Sequence, residues 1–237
     1  MDAPEARRRI AKFFRTRSAA VEKLVRREPQ LLELLAMTAV VTHYETAGFD
    51  VRPANLKAGR FRVKLATKAR PENFSHFVAH KDDTSIEIHS NVAIRGSSTV
   101  DQGQYVVDVG VIRSGSLPRG VARGVVAAAP NDALFTFAEV KKLVIYPMLL
   151  AQFTGIVHEL MPTHIHETRP DGYDGDPHFM PALLADGYLT ANARDIVNGY
   201  PRRGYWLTIV PDIHARVVSS DAAIVSPLLP PQDPDQE

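Results

Sequence analysis

At 237 residues, with 45% hydrophobic and 23% charged residues, the chain is long enough to bury one large core and is not disordered throughout. It contains no cysteine, which excludes disulfides, a thiol nucleophile, cysteine-ligated zinc and iron–sulfur clusters. The formal net charge of +1 excludes a uniformly basic nucleic-acid binder, yet it conceals a split: residues 1–80 carry 16 Lys/Arg against 8 Asp/Glu, and the remainder 12 against 19.

In chain order, the N-terminus MDAPEARRRIAKFF lacks the apolar stretch of a secretory signal. No apolar run reaches the roughly 18 residues of a membrane span, and Leu143 to Val157 is interrupted by Pro147, Gln152 and Thr154. A cytoplasmic protein with no membrane partner is expected. Residues 3–16 and 18–47 read as helices, with Arg/Lys on one side and Leu/Ala/Val on the other, and Gly48 ends the second. Phe61–Ala66, Phe74–His80 and Ser85–Ile94 alternate apolar with polar, as strands do. Tyr105–Ile112 and Leu134–Lys141 are further strands. A helix runs from about Leu143 to Leu160, with Pro147 tolerable in its first turn. His164 and His166 read as sharing a strand face, and 168–177 is a loop by composition. A helix from Thr190 to Tyr200, a strand at Tyr205–Val210 and a short strand at Ala215–Ser219 complete the order. Helices, then a strand meander, then helix and strand describe an α/β or α+β sandwich. It divides into a basic helical segment over 1–28, one α/β domain over 29–226, and a disordered acidic, proline-rich tail over 227–237.

The chemistry concentrates on two strands. Asp108 interrupts an apolar, β-branched strand, and Glu139 and Lys141 end another. A buried carboxylate is costly unless it is paired or bound to a cation. The period of two puts Glu139 and Lys141 on one face and turns Val140 into the other layer. Gly110 is expected to leave open space beside Asp108. If the strands are neighbours, the two carboxylates could hold a hard divalent ion such as Mg²⁺ (or Mn²⁺), and Lys141 could position or deprotonate its water or steady charge on a phosphate. The alternative reading of these residues is a buried ion pair.

Here the sequence resembles the PD-(D/E)XK nuclease superfamily, the restriction-endonuclease-like fold. The residues that carry it are Val107-Asp108, then Glu139-Val140-Lys141, followed by a helix over 142–160. The resemblance spans roughly residues 30 to 160. It implies a central mixed sheet flanked by helices, preceded by an N-terminal helical extension. It also implies a Mg²⁺-dependent endodeoxyribonuclease, with Asp108, Glu139 and the Val140 carbonyl as metal ligands and Lys141 as the catalytic lysine. Glu45 would be the carboxylate of the first core helix and Gln152 the glutamine of the helix after the motif. DNA is the implied partner, with RNA left open, together with a homodimer and a role in restriction or defence. Two features depart from the pattern: Val107 stands where proline precedes the Asp, and a long Gly/Arg-rich stretch separates Asp108 from Glu139.

Nucleic acid would be met by Arg7, Arg8, Arg9 and Lys12 on the first helix, by Arg60, Arg62 and Lys64, by Arg119 and Arg123 in the long insertion, and by Arg202 and Arg203. Solvated basic faces are the competing reading. His76, His80 and His89 read as strand-surface residues able to face a phosphate backbone. A second metal site is conceivable among His158, His164, His166 and His178 with Glu159, Glu167 and Asp174, although no HExxH is present. The absence of GxxxxGK[ST], of strand–GxGxxG–helix and of a GxSxG elbow argues against ATP hydrolysis and a serine nucleophile. A non-catalytic nucleic-acid-binding or assembly module that retains the same fold is the alternative function.

Overall fold

The computed structural model describes residues 3–21, 28–66, 68–98, 103–122, 124–166, 177–217 and 228. In chain order the elements are α1 (Ala3–Thr16), β1 (Ala20–Val21), α2 (Glu28–Thr46), β2 (Asp50–Ala54), β3 (Arg60–Phe61), β4 (His76–Lys81), β5 (Thr84–Arg95) and β6 (Gln104–Arg113). They continue with β7 (Ala128–Ala129), β8 (Leu134–Lys141), α3 (Pro147–Leu160), α4 (Thr163–His166), β9 (Ala182–Ala185), α5 (Ala191–Asn198), β10 (Thr208–Val210) and α6 (Ile213–Val217).

The strands build a mixed sheet in the order β10-β9-β8-β6-β5-β4-β2, with β7 added alongside β5, and a two-stranded sheet of β1 and β3. From β2 to β8 the main path is antiparallel, while β8, β9 and β10 run parallel. Parallel pairing needs a crossover, and α3 and α4 lie in the connection from β8 to β9, with α5 in that from β9 to β10. One core layer joins the buried faces of α1, α2 and α6 to one face of the sheet. The other joins α3, α4 and α5 to the opposite face. The result is an α/β protein with a mixed central sheet flanked by helices, one of the two classes the order of elements left open.

Several local expectations change. The helix expected over 18–47 starts at Glu28 instead; Ser18 has φ 55° and Ala20–Val21 is a strand. Helix α2 is not amphipathic. It is buried nearly all round, because α1 covers it on one side and the sheet on the other. Helix α1 does carry an apolar stripe of Ala6, Ile10, Phe13 and Phe14. Phe14 meets Phe61 and Phe77 at ring-centroid distances of 4.8 and 5.8 Å, so the basic helix is fastened into the same core. The strand expected over Phe61–Ala66 shrinks to Arg60–Phe61, and the stretches expected as strands around His164 and Ala215 are the short helices α4 and α6. Strands β2 and β9 had no expected counterpart. The loop 168–177, apart from Pro177, and the tail 227–237, apart from Leu228, lie outside the described residues.

No helix among the described residues is long and apolar enough to cross a membrane.

Candidate functional site

Strands β6 and β8 are neighbours, and their ladder runs from Ile112↔Leu134 to Val109↔Ala138. There it stops. Beyond Ala138, strand β8 continues beside β9 alone, through Glu139↔Leu183, Val140↔Leu184 and Lys141↔Ala185. Asp108 is the first β6 residue past the end of the ladder. Its Oδ2 accepts the backbone N–H of Val140 at 2.7 Å, the donor a ladder bond would otherwise have used. The same oxygen lies 3.3 Å from Lys141 Nζ, which donates to Glu139 Oε2 at 2.7 Å. One ammonium therefore touches both carboxylates, and Asp108, Glu139 and Lys141 form one constellation.

Glu139 is 5% exposed, and its Oε1 is buried without a hydrogen-bond partner. Burial, then the Asp108 charge, pushes its carboxyl up to about 7, against the pull of Lys141. For Lys141 burial opposes the charge, but Glu139 and Asp108 outweigh it and raise the ammonium above the ordinary lysine value. Lys141 is thus held protonated. An unpaired carboxylate oxygen next to a second carboxylate is chemically a donor set that a hard divalent cation could take.

A third carboxylate, Glu33 of α2, is coupled to the site through its charge, without joining Asp108 and Glu139 in a ligand group. Burial raises the Glu33 carboxyl, and Asp108 adds to the rise while Lys141 opposes it, so its charge acts on both. Glu33 Oε2 accepts from Asn91 Nδ2 at 3.1 Å. Asn91 belongs to β5 and falls between the pairs Ser90↔Val109 and Val92↔Val107, opposite Asp108. Its φ of 48° is a conformation asparagine adopts more readily than most residues. Its carbonyl accepts from the Lys64 ammonium, and its Nδ2 also donates to the Lys64 carbonyl at 3.1 Å.

The remaining expected site residues are placed as follows. Glu45 is not in the constellation: Arg17 holds it through two bonds of 2.8 and 2.5 Å. It stands twelve residues along α2 from Glu33, about 18 Å at 1.5 Å per residue. Gln152 is exposed on α3 and makes no hydrogen bond to Asp108, Glu139 or Lys141. Val140 turns its side chain into the first core layer, as expected. Gly110 does not leave open space: a Cβ there would lie 2.4 Å from Val92 Cγ1, because Val92 fills it.

Lys64 is buried, and burial lowers its ammonium to about 8, so it is not an exposed phosphate contact. Arg7, Arg8, Lys12 and Arg15 line a shallow depression on α1, while Glu5 binds both Arg8 and Arg9. Arg60 is exposed, and the Arg62 guanidinium lies 5.7 Å from the Phe74 ring centroid. Arg202 and Arg203 are exposed in a short 3₁₀ turn. Arg119 is exposed, and Arg123 lies outside the described residues.

The histidines are rearranged most. His76 and His89 are not surface residues but buried, at 9% and 8% exposure, beside Glu87 at 7%. These three could hold a metal ion: one ligand atom from each lies within 4.8 Å of the others. His80 is exposed. His164 and His166 sit on α4, and His178 stacks on Phe135 while its Nδ1 meets the Tyr44 hydroxyl at 2.7 Å. Glu167 and Asp174 lie outside the described residues; among those described, no metal-ligating group forms around His158, His164 and His178.

Glu33 was missed because its helix read as one-sided, and the His-Glu-His group because its histidines read as strand-surface residues, although β4 and β5 form a tight hairpin closed at Lys81↔Thr84. The available signal was Glu87 and His89 two apart in an alternating strand.

Compared with family models, with curated proteins and with solved structures, the chain has no match.

Proposed function

We propose that the protein hydrolyses phosphodiester bonds of nucleic acid, as a Mg²⁺- or Mn²⁺-dependent endodeoxyribonuclease of the restriction-endonuclease-like kind. The observation that carries this reading is the Lys141 ammonium shared by Asp108 and Glu139 where β6 and β8 part, with Glu139 Oε1 left unpaired. A mixed central sheet flanked by helices, with a helix following the motif strand, is compatible with the resemblance noted in the sequence.

Asp108 and Glu139 would hold the ion, with the Val140 carbonyl, and the charge of Glu33 would act on Asp108 and Lys141 from α2. Bound there, the ion would supply Lewis acidity toward a phosphate oxygen and lower the pKa of a water. Lys141 is protonated while both carboxylates face it, so in that state it is a charge stabiliser rather than a base. With Asp108 and Glu139 engaged as ligands, their hold on the ammonium would weaken and its pKa would fall toward a value at which Lys141 could accept a proton. Asn91 orients Glu33, and Lys64 in turn fixes the Asn91 carbonyl. Arginines of α1 and of the 202–203 turn would supply sequence-independent grip on the phosphate backbone. A homodimer would provide the two sites that double-strand cleavage needs, and a defence role would suit such an enzyme.

The test is incubation of plasmid and single-stranded DNA with Mg²⁺, with Mn²⁺ and with EDTA. Metal-dependent cleavage that Asp108→Ala and Lys141→Ala abolish supports the reading; identical behaviour of wild type and variants removes the catalytic assignment. The same ion pair favours one second reading, a non-catalytic nucleic-acid-binding module in which Lys141 merely neutralises two structural carboxylates. DNA binding without Mg²⁺ affinity would select it.

A further inference from the structure

We infer that His76, Glu87 and His89 form a transition-metal site of the Zn²⁺ class, separate from the carboxylate site, with an exchangeable position open to the adjoining cavity. In β4 and β5, the pair Phe77↔Ile88 puts His76 opposite His89, and Glu87 follows two residues before His89 on the same strand. Phe77, Ile86 and Ile88 belong to the core layer beneath α1 and α2. Alternation therefore turns His76, Glu87 and His89 together to the other face. The two imidazoles stack with centroids 4.5 Å apart and planes 16° from parallel, and Glu87 Oε2 lies 2.8 Å from His89 Nε2.

Two imidazole nitrogens and one carboxylate are the donor set of catalytic zinc sites, which keep a further position for water or substrate. Mixed nitrogen and oxygen donors favour Zn²⁺ or Co²⁺ over Mg²⁺, whereas Asp108 and Glu139 offer oxygen alone. The second coordination layer is also present: Glu87 Oε1 accepts the Gly115 N–H at 3.1 Å, which fixes the carboxylate from the loop after β6.

The three side chains open on a cavity of about 380 Å³, also lined by Glu72, Leu117 and Arg119. Glu72 Oε1 accepts from the Gly120 N–H at 3.3 Å, while its Oε2 is buried without a partner. An acceptor left unpaired beside a metal position is suited to a metal-bound water. Within the long stretch between Asp108 and Glu139, Gly115, Leu117 and Arg119 line this cavity.

The experiment uses the full chain, stripped with EDTA and titrated with Co²⁺ and Zn²⁺. One equivalent of Co²⁺ should give the intense visible bands of a low-symmetry nitrogen/oxygen site, and Zn²⁺ should bleach them. Thiocyanate should shift the bands by entering the open position. Asp108→Asn should leave the spectrum unchanged, which separates this site from the nuclease reading. His76→Ala and Glu87→Gln should weaken binding by at least the roughly 10–100-fold that loss of a second-layer partner costs. Absence of the bands in folded wild type overturns the site, whether or not the variants fold. Bands that persist in both His76→Ala and Glu87→Gln, or that thiocyanate leaves unmoved, overturn it equally.

Discussion

The backbone N–H of Val140 donates to Asp108 Oδ2 at 2.7 Å, at the point where the β6–β8 ladder has ended. A side chain thus takes a bond that backbone would otherwise make, and the two strands part around a cluster of carboxylates. Removing Asp108 oxygen leaves a buried N–H without an acceptor, which costs about 1–3 kcal/mol. Asp108→Ala should therefore lower stability as well as activity. Asp108→Asn keeps an amide oxygen for Val140 and should retain most of the stability while losing Mg²⁺ binding at the carboxylate site. Chemical denaturation of both variants checks the separation.

Glu33 and Glu45 should behave oppositely. Glu33→Gln removes a charge that Asp108 and Lys141 feel, and should reduce cleavage and Mg²⁺ affinity with little change in stability. Glu45→Gln should leave cleavage intact and cost stability by about 0.2–1 kcal/mol, the range of a partly exposed ion pair, through its bond to Arg17. Parallel assays of rate and denaturation midpoint distinguish the two carboxylates of α2.

The constellation was legible because its pieces are local. Asp108 breaks an apolar strand, and Glu139 and Lys141 stand two apart at the end of another. What no local pattern contains is register. Asn91 faces Asp108 only because β5 pairs with β6, and the charge of Glu33 acts on the site only because α2 lies across the sheet. The resemblance implies Glu45 as the carboxylate of the first core helix, but the Arg17 that claims it lies 28 residues away. Gly110 shows the same limit from the other side. Its small size read as room for a ligand, whereas it admits Val92 from the neighbouring strand.

That contact gives a stability test. Gly110→Ala would set a Cβ 2.4 Å from Val92 Cγ1 and 3.1 Å from Val107 Cγ2. Both neighbours are β-branched and stiff, so the strands must shift. The expected loss is about 1–3 kcal/mol, the usual cost of overpacking, and Gly110→Ala with Val92→Ala should recover part of it. Thermal denaturation of the single and double variants measures both.

Lys64 supplies a pH test. Burial lowers its ammonium to about 8 in the folded protein from 10.5. Between those values the unfolded chain binds the extra proton, so stability should rise with pH through that window; below about 8 both states are charged and the burial penalty is fully present. The rise contributed by this group is at most about 3 kcal/mol. Lys64→Met should remove it from the profile of stability against pH.

The most direct measurement is the rate of plasmid cleavage by the wild type and Lys141→Met in Mg²⁺, each with an EDTA control and each verified as folded. Metal-dependent cleavage by the wild type, with Lys141→Met slower by about 100-fold or more, as for loss of a charge-stabilising group, is the expected result. Equal rates in the two proteins, or no metal-dependent cleavage of any DNA form by the wild type, would contradict the assignment of Asp108, Glu139 and Lys141 as a nuclease site.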